Sequence, residues 1–139
     1  MYQATMAIYE ALSKRDGLKV FTEERGSTSN VWLGFRVKNG PSYTIRFISK
    51  DDDNDVAVRV IALTRVEEEK VPVILPVINE LNVKYRFVKF TLDKDNDINV
   101  EYDYPVSCSN PGESAEEIMI RFVQIIDESY PSLMRAMWA

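Results

Sequence analysis

Residues Ile78 to Pro105, INELNVKYRFVKFTLDKDNDINVEYDYP, read as a helix end, a strand, an acidic turn and a second strand. In the first arm Tyr85, Phe87 and Lys89 share one face, and Val88 and Phe90 the other. In the second, Ile98, Val100, Tyr102 and Tyr104 alternate with Asn99, Glu101 and Asp103, the period of two that a half-buried strand requires. Between the arms, Asp93 to Asp97 are turn formers, because short Asp and Asn side chains bond nearby backbone. The stretch is a β-hairpin that follows a helix.

Working upstream, a helix is predicted from about Glu67 to Leu81. Val71, Ile74, Ile78 and Leu81 form its apolar stripe, and Glu67, Glu68 and Glu69 suit the positive end of its dipole. Pro72 fits the first turn, whereas Pro76 removes a hydrogen bond and predicts a bend or a split. Three strands precede this helix. The first, Val31 to Lys38, sets Val31, Leu33, Phe35 and Val37 against Trp32, Gly34 and Arg36. Asn39–Gly40 predicts a tight turn with positive φ at both positions. Ser42 to Ser49 and Val56 to Leu63 follow, joined by an acidic turn at Asp51, Asp52, Asp53, Asn54 and Asp55. Further upstream, Tyr2, Met6, Tyr9 and Leu12 line one face of a predicted helix over 2–15, with Gly17 at its end. Leu18 to Glu24 is a short extended piece, and Gly26, Ser27, Ser29 and Asn30 form a loop.

Downstream lies a long helix. Ser114 and Glu117 form a capping-box pattern, and Ile118, Phe122, Ile125, Ile126 and Leu133 make its buried face. Pro131 predicts a kink or restart near Tyr130, which leaves a short tail with Met134, Met137 and Trp138. The chain is therefore one domain, 1–139, of the α+β class. Its architecture is two-layer, helices on an antiparallel sheet, in the order α-β(3-4)-α-β(2)-α.

Composition narrows function. The 45% hydrophobic and 28% charged fractions belong to an ordinary globular chain, which excludes disorder. No apolar run approaches the roughly 20 residues a membrane-spanning helix needs. The N-terminus lacks the basic start and apolar core of a secretory signal. With one cysteine there is no internal disulfide, so the expected location is cytoplasmic. A net charge of −5 works against nucleic acid and anionic membrane as partners.

The order of elements is that of the type III secretion chaperone-like fold. The residues narrow it further. Asn79-Glu80-Leu81-Asn82, Tyr85-Arg86-Phe87-Val88-Lys89-Phe90, Asp93-Lys94-Asp95-Asn96-Asp97-Ile98 and Glu101-Tyr102-Asp103 resemble the YbjN family of bacterial sensory transduction regulators. Arg121-Phe122-Val123 and Asp127-Glu128-Ser129-Tyr130-Pro131 are similar to that family too. Asn96 and Asp97 stand where the family usually shows a glycine, a departure confined to the turn. The resemblance implies a cytoplasmic, dimeric, non-enzymatic domain and supplies no catalytic residues.

The chemistry-bearing residues agree with a non-enzyme. Histidine is absent, which removes the Ser-His and Cys-His nucleophile pairs and the commonest general base. Cys108 has no basic neighbour in sequence nearer than Arg121 and reads as a plain loop cysteine. Asp93, Asp95 and Asp97 match the first ligand positions of a calcium-binding EF-hand loop, but Ile98 replaces its glycine and Tyr104 its closing glutamate. Asp51, Asp53 and Asp55 share the defect, so no metal or cofactor is expected. Glu101 and Asp103 share a strand face, which reads as the solvated side of a half-buried strand. Trp32 with Arg36 is the residue pair most enriched at interface hot spots, if long neighbouring side chains do not cover it. Arg46, Arg59, Arg86 and Lys89 sit on other strands and suit ion-pair ladders. For Met134, Met137 and Trp138 two readings stay open, docking on the domain itself or adapting to an apolar partner. The expectation is a homodimer that binds another protein or peptide segment through Trp32, Arg36, Met134, Met137 and Trp138. The alternative is a small-molecule or ion-responsive sensor.

Overall fold

The computed structural model describes residues 1–50, 54–107 and 110–139. Helix α1 spans Gln3–Ser13 and buries Ala4, Thr5, Ile8 and Leu12. This corrects the expected face, since Met6 and Tyr9 are exposed. The cause is a close helix crossing. A Cβ on Gly112 would lie 2.8 Å from the Ala7 carbonyl oxygen and 3.0 Å from the Ala11 Cβ. Only small residues fit there, so the bulky side chains turn outward.

Strand β1, Val20–Arg25, pairs antiparallel with β2, Thr28–Arg36. The connection is therefore Gly26–Ser27 alone, and Ser29 and Asn30, expected in a loop, belong to β2. Gly26 has φ +60°, as the first central residue of a two-residue hairpin with this chemistry requires. Strand β3, Ser42–Ser49, returns beside β2. Asn39 takes φ +58°, but Gly40 does not join it in the left-handed region. Pro41 restricts the residue before it, so the chain makes a wider turn closed by Val37 N–H donating to Pro41 O at 3.0 Å. Strand β4, Asp55–Arg65, carries a bulge between Val60 and Thr64 with Ala62 at φ +59°.

After a 3-10 turn at Glu68–Lys70 comes helix α2, Val71–Lys84, which is neither split nor ended at Pro76. Pro72 and Pro76 both lie on its exposed side, so the carbonyl deprived of a partner faces water. Its Ile74, Ile78 and Leu81 are buried. The helix runs on to Lys84, and strand β5 is only Lys89–Leu92, later than the expected start at Tyr85. Strand β6, Asp97–Pro105, pairs with both β4 and β5. Helix α3, Pro111–Trp138, runs 28 residues without interruption. Its cap is Asn110, whose side chain accepts from Gly112 and Glu113 N–H, in place of the expected Ser114 box. Pro131 is exposed, like Pro76, and the helix absorbs it.

The result is an α+β fold with a six-stranded antiparallel sheet in the order β1-β2-β3-β4-β6-β5. Leu33, Ile45, Phe47, Val58 and Val100 on one sheet face meet Ile8, Leu12, Phe122 and Ile126 in a common core. The opposite face carries the alternate residues of every strand, and no helix among the described residues covers it.

Candidate functional site

Cross-strand register decides what that uncovered face presents. Phe21 lies opposite Trp32, and Trp32 opposite Arg46. The Phe21 and Trp32 rings stack with centroids 4.4 Å apart and an interplanar angle of 21°. The Arg46 guanidinium sits 5.2 Å from the Trp32 ring centre, within reach of cation–π attraction. Phe21 remains 45% exposed, so this aromatic pair is only partly covered. Phe21 is a member of the cluster that sequence reasoning missed. Its strand, VFTEER, shows no clean alternation, since an edge strand buries little on either face.

Arg36 is on the same face as Trp32 but four residues further along, about 13 Å away at strand spacing. Its Nε donates to the Gly40 carbonyl at 3.3 Å. The arginine that meets Trp32 is thus Arg46. Met134, Met137 and Trp138 lie elsewhere, at the end of α3 in the helical layer. Met137 is buried, Met134 is half-buried, and Trp138 is 79% exposed. The five expected residues therefore fall in two separate places.

Charges on the uncovered face form a ladder. Arg59 opposes Arg46 directly, a like-charge pair offset by acids on either side. Glu23 stands 3.8 Å from Arg46, while Arg59 holds Glu101 at 3.4 Å and Asp103 at 2.6 Å. Glu101 also accepts from Thr91 Oγ1 at 2.6 Å. One guanidinium thus engages both carboxylates. Asp93 turns its carboxylate onto its own hairpin, accepting from Asp95 and Asp97 N–H and from Asn99 Nδ2. These bonds, the Asn99 one foremost, hold its carboxyl below the usual range. Among the described residues no group of three or more His, Cys, Asp or Glu is placed to hold a metal ion. Asp51, Asp52, Asp53 and Cys108 lie outside the described residues.

The quoted motifs prove to be mutual contacts. Asn82 Oδ1 accepts from Phe90 N–H at 2.7 Å and its Nδ2 donates to Phe90 O at 3.0 Å, so one amide side chain meets both outward backbone groups of Phe90 on the outer edge of β5. Phe87 stacks on Tyr102 at 4.4 Å, and Arg121 covers Phe87 at 5.0 Å. Tyr85 OH donates to Glu128 at 2.8 Å, and burial pushes its pKa up to about 12. Asp127 accepts from Lys38 N–H at 2.9 Å. Beside these contacts a groove of about 540 Å³ runs between β6 and the start of α3, lined by Tyr102, Tyr104, Glu117 and Ile118.

A family model, YbjN, described as "Putative bacterial sensory transduction regulator", matches residues 38–133, well over half of the chain. The chain belongs to the YbjN family. The match takes in every motif quoted above, and in the turn where YbjN chains usually carry glycine, Asn96 adopts φ +61° without one. Asn tolerates the left-handed region, so the departure is local. Phe21 and Trp32 lie outside the YbjN match. No curated protein and no solved structure is matched. No helix of the described residues is long and apolar enough to cross a membrane.

Proposed function

We propose that this YbjN chain is a non-enzymatic, cytoplasmic, homodimeric module that binds a segment of another protein along its uncovered sheet face. The observation that carries the reading is the half-exposed Phe21–Trp32 stack with Arg46 upon it. Aromatic and arginine side chains concentrate binding energy at protein interfaces. A chain of net charge −5 that offers this cluster on a mixed-charge sheet suits a protein segment better than a polyanion. A photo-reactive residue placed at Ile61, exposed on the sheet, tests it against one at Val83, exposed on α2. A discrete adduct in cells from position 61, lost with Trp32→Ala, is expected. Adducts from position 83 only would overturn it.

The groove beside β6 favours a second reading, a small-molecule sensor, because aromatic walls and the Glu117–Arg121 pair converge there. Thermal shifts across a metabolite and cation panel separate the two. Stabilisation by one compound, abolished by Tyr102→Ala, supports the sensor, and a flat response leaves the protein-binding reading.

A further inference from the structure

The sheet has two edges, and among the described residues no strand pairs with the outer side of β1. Hydrogen-bond parity shows which groups it offers. A two-residue loop makes Arg25/Thr28 a hydrogen-bonded pair, and Glu23/Asn30 and Phe21/Trp32 follow alternately. The bond from Val37 N–H to Pro41 O gives the same parity from the other side of β2. The backbone N–H and C=O of Val20, Thr22 and Glu24 therefore point away from the sheet. None of these groups has a partner among the described residues. The strand contains no proline or lysine, two of the residues that natural edges use against pairing.

We infer that β1 is a self-association edge, pairing antiparallel with β1 of a second copy about a two-fold axis to make one continuous sheet. This deepens the proposed homodimer and rests on that reading. Charge complementarity selects the occupant and the register. Outward-pointing groups must pair with outward-pointing groups, which permits registers two residues apart. Centred on Thr22, Lys19 would oppose Arg25 of the other copy. Centred on Glu23, two glutamates would meet at the axis. Centred on Phe21, Val20 bonds to Thr22, and Lys19 opposes Glu23 twice over. Lys19 is exposed and has no ion-pair partner among the described residues, and Glu23 lies on the same face. That register also brings the two Phe21 rings together as a non-hydrogen-bonded pair, where side chains approach most closely. Each Phe21 already stacks on Trp32, so four rings would line up across the axis. A strand of unrelated sequence would need this same palindromic charge pattern, which a second copy supplies by symmetry.

Light scattering of the full chain across concentrations tests the edge, with circular dichroism to verify folding. The parent is expected to be dimeric. Thr22→Pro removes one outward N–H and no intrachain ladder bond, so it should stay folded and lower the association constant at least tenfold. Lys19→Glu should weaken association, and adding Glu23→Lys should restore it. A monomeric parent would sink both the homodimer reading and this edge. A dimer unmoved by folded Thr22→Pro, or by Lys19→Glu should the proline variant not fold, would sink the edge alone.

Discussion

The two edges of the sheet solve one problem in opposite ways. Both β1 and β5 have backbone groups with no neighbouring strand on one side. At β5 the groups of Phe90 are met by the Asn82 side chain at 2.7 and 3.0 Å. At β1 those of Val20, Thr22 and Glu24 have no partner among the described residues. An edge plugged at Phe90 by a side chain leaves little of its short length for another strand, whereas an open one holds pairing capacity in reserve. The position of helix α2 explains the difference, since it ends next to β5 and can reach over with a single amide.

The largest expected effect is at the closed edge. Asn82→Ala leaves a half-buried N–H and C=O unpaired, and each such group costs about 1–3 kcal/mol. A loss of about 2–3 kcal/mol in urea unfolding is expected, and less than 1 would show that water replaces the amide. Closing the comparison from the other side, Thr22→Ala should change stability by less than about 0.5 kcal/mol, as exposed positions do.

These edges also mark where sequence reading works. Strands β2, β3 and β6 each keep an apolar core face at a period of two, so that face is legible residue by residue, whereas Asn30 and Asn99 on the other face are buried against the pattern. Strand β1 was visible only as an extended piece, because VFTEER has too little buried on either side to write a period. Pro76 is expected to bend or split α2 and Pro131 to kink or restart α3, yet neither helix is split, and both prolines sit on exposed sides. The motif Asn79-Glu80-Leu81-Asn82 was legible as family pattern, but its purpose needed the Phe90 backbone beside Asn82. The Trp32 cluster was half legible: its face was read correctly, but Arg46 and Phe21 join it through register, which spacing along one strand does not encode.

A middle-sized effect lies at the turn that creates the open edge. Gly26 sits at φ +60° with open space around it, so the cost of a side chain there is conformational. Gly26→Ala should lose about 1–2 kcal/mol from the left-handed backbone alone. The melting temperature reports that loss. If β1 is the dimer strand, light scattering should report weaker association as well. A lower melting temperature with unchanged association would separate the hairpin from the interface.

The smallest effect is one of slope, at the turn that ends the closed edge. Asp93 has its carboxyl held below the ordinary value of 3.8, chiefly by Asn99 and then by the Asp97 N–H. A lowered folded pKa means that the charged form is the one stabilised in the fold. Its contribution is therefore complete above the unfolded pKa and drains away as pH falls through the folded one. In Asp93→Asn this linkage is gone, so the urea midpoint should fall less steeply with acid below about pH 4. The slope should shrink without vanishing. Glu24, on the open strand, is also held low by the terminal ammonium of Met1, with the same sign. An unchanged acid slope would mean that the Asp93 bonds survive in the unfolded chain, as a local turn can.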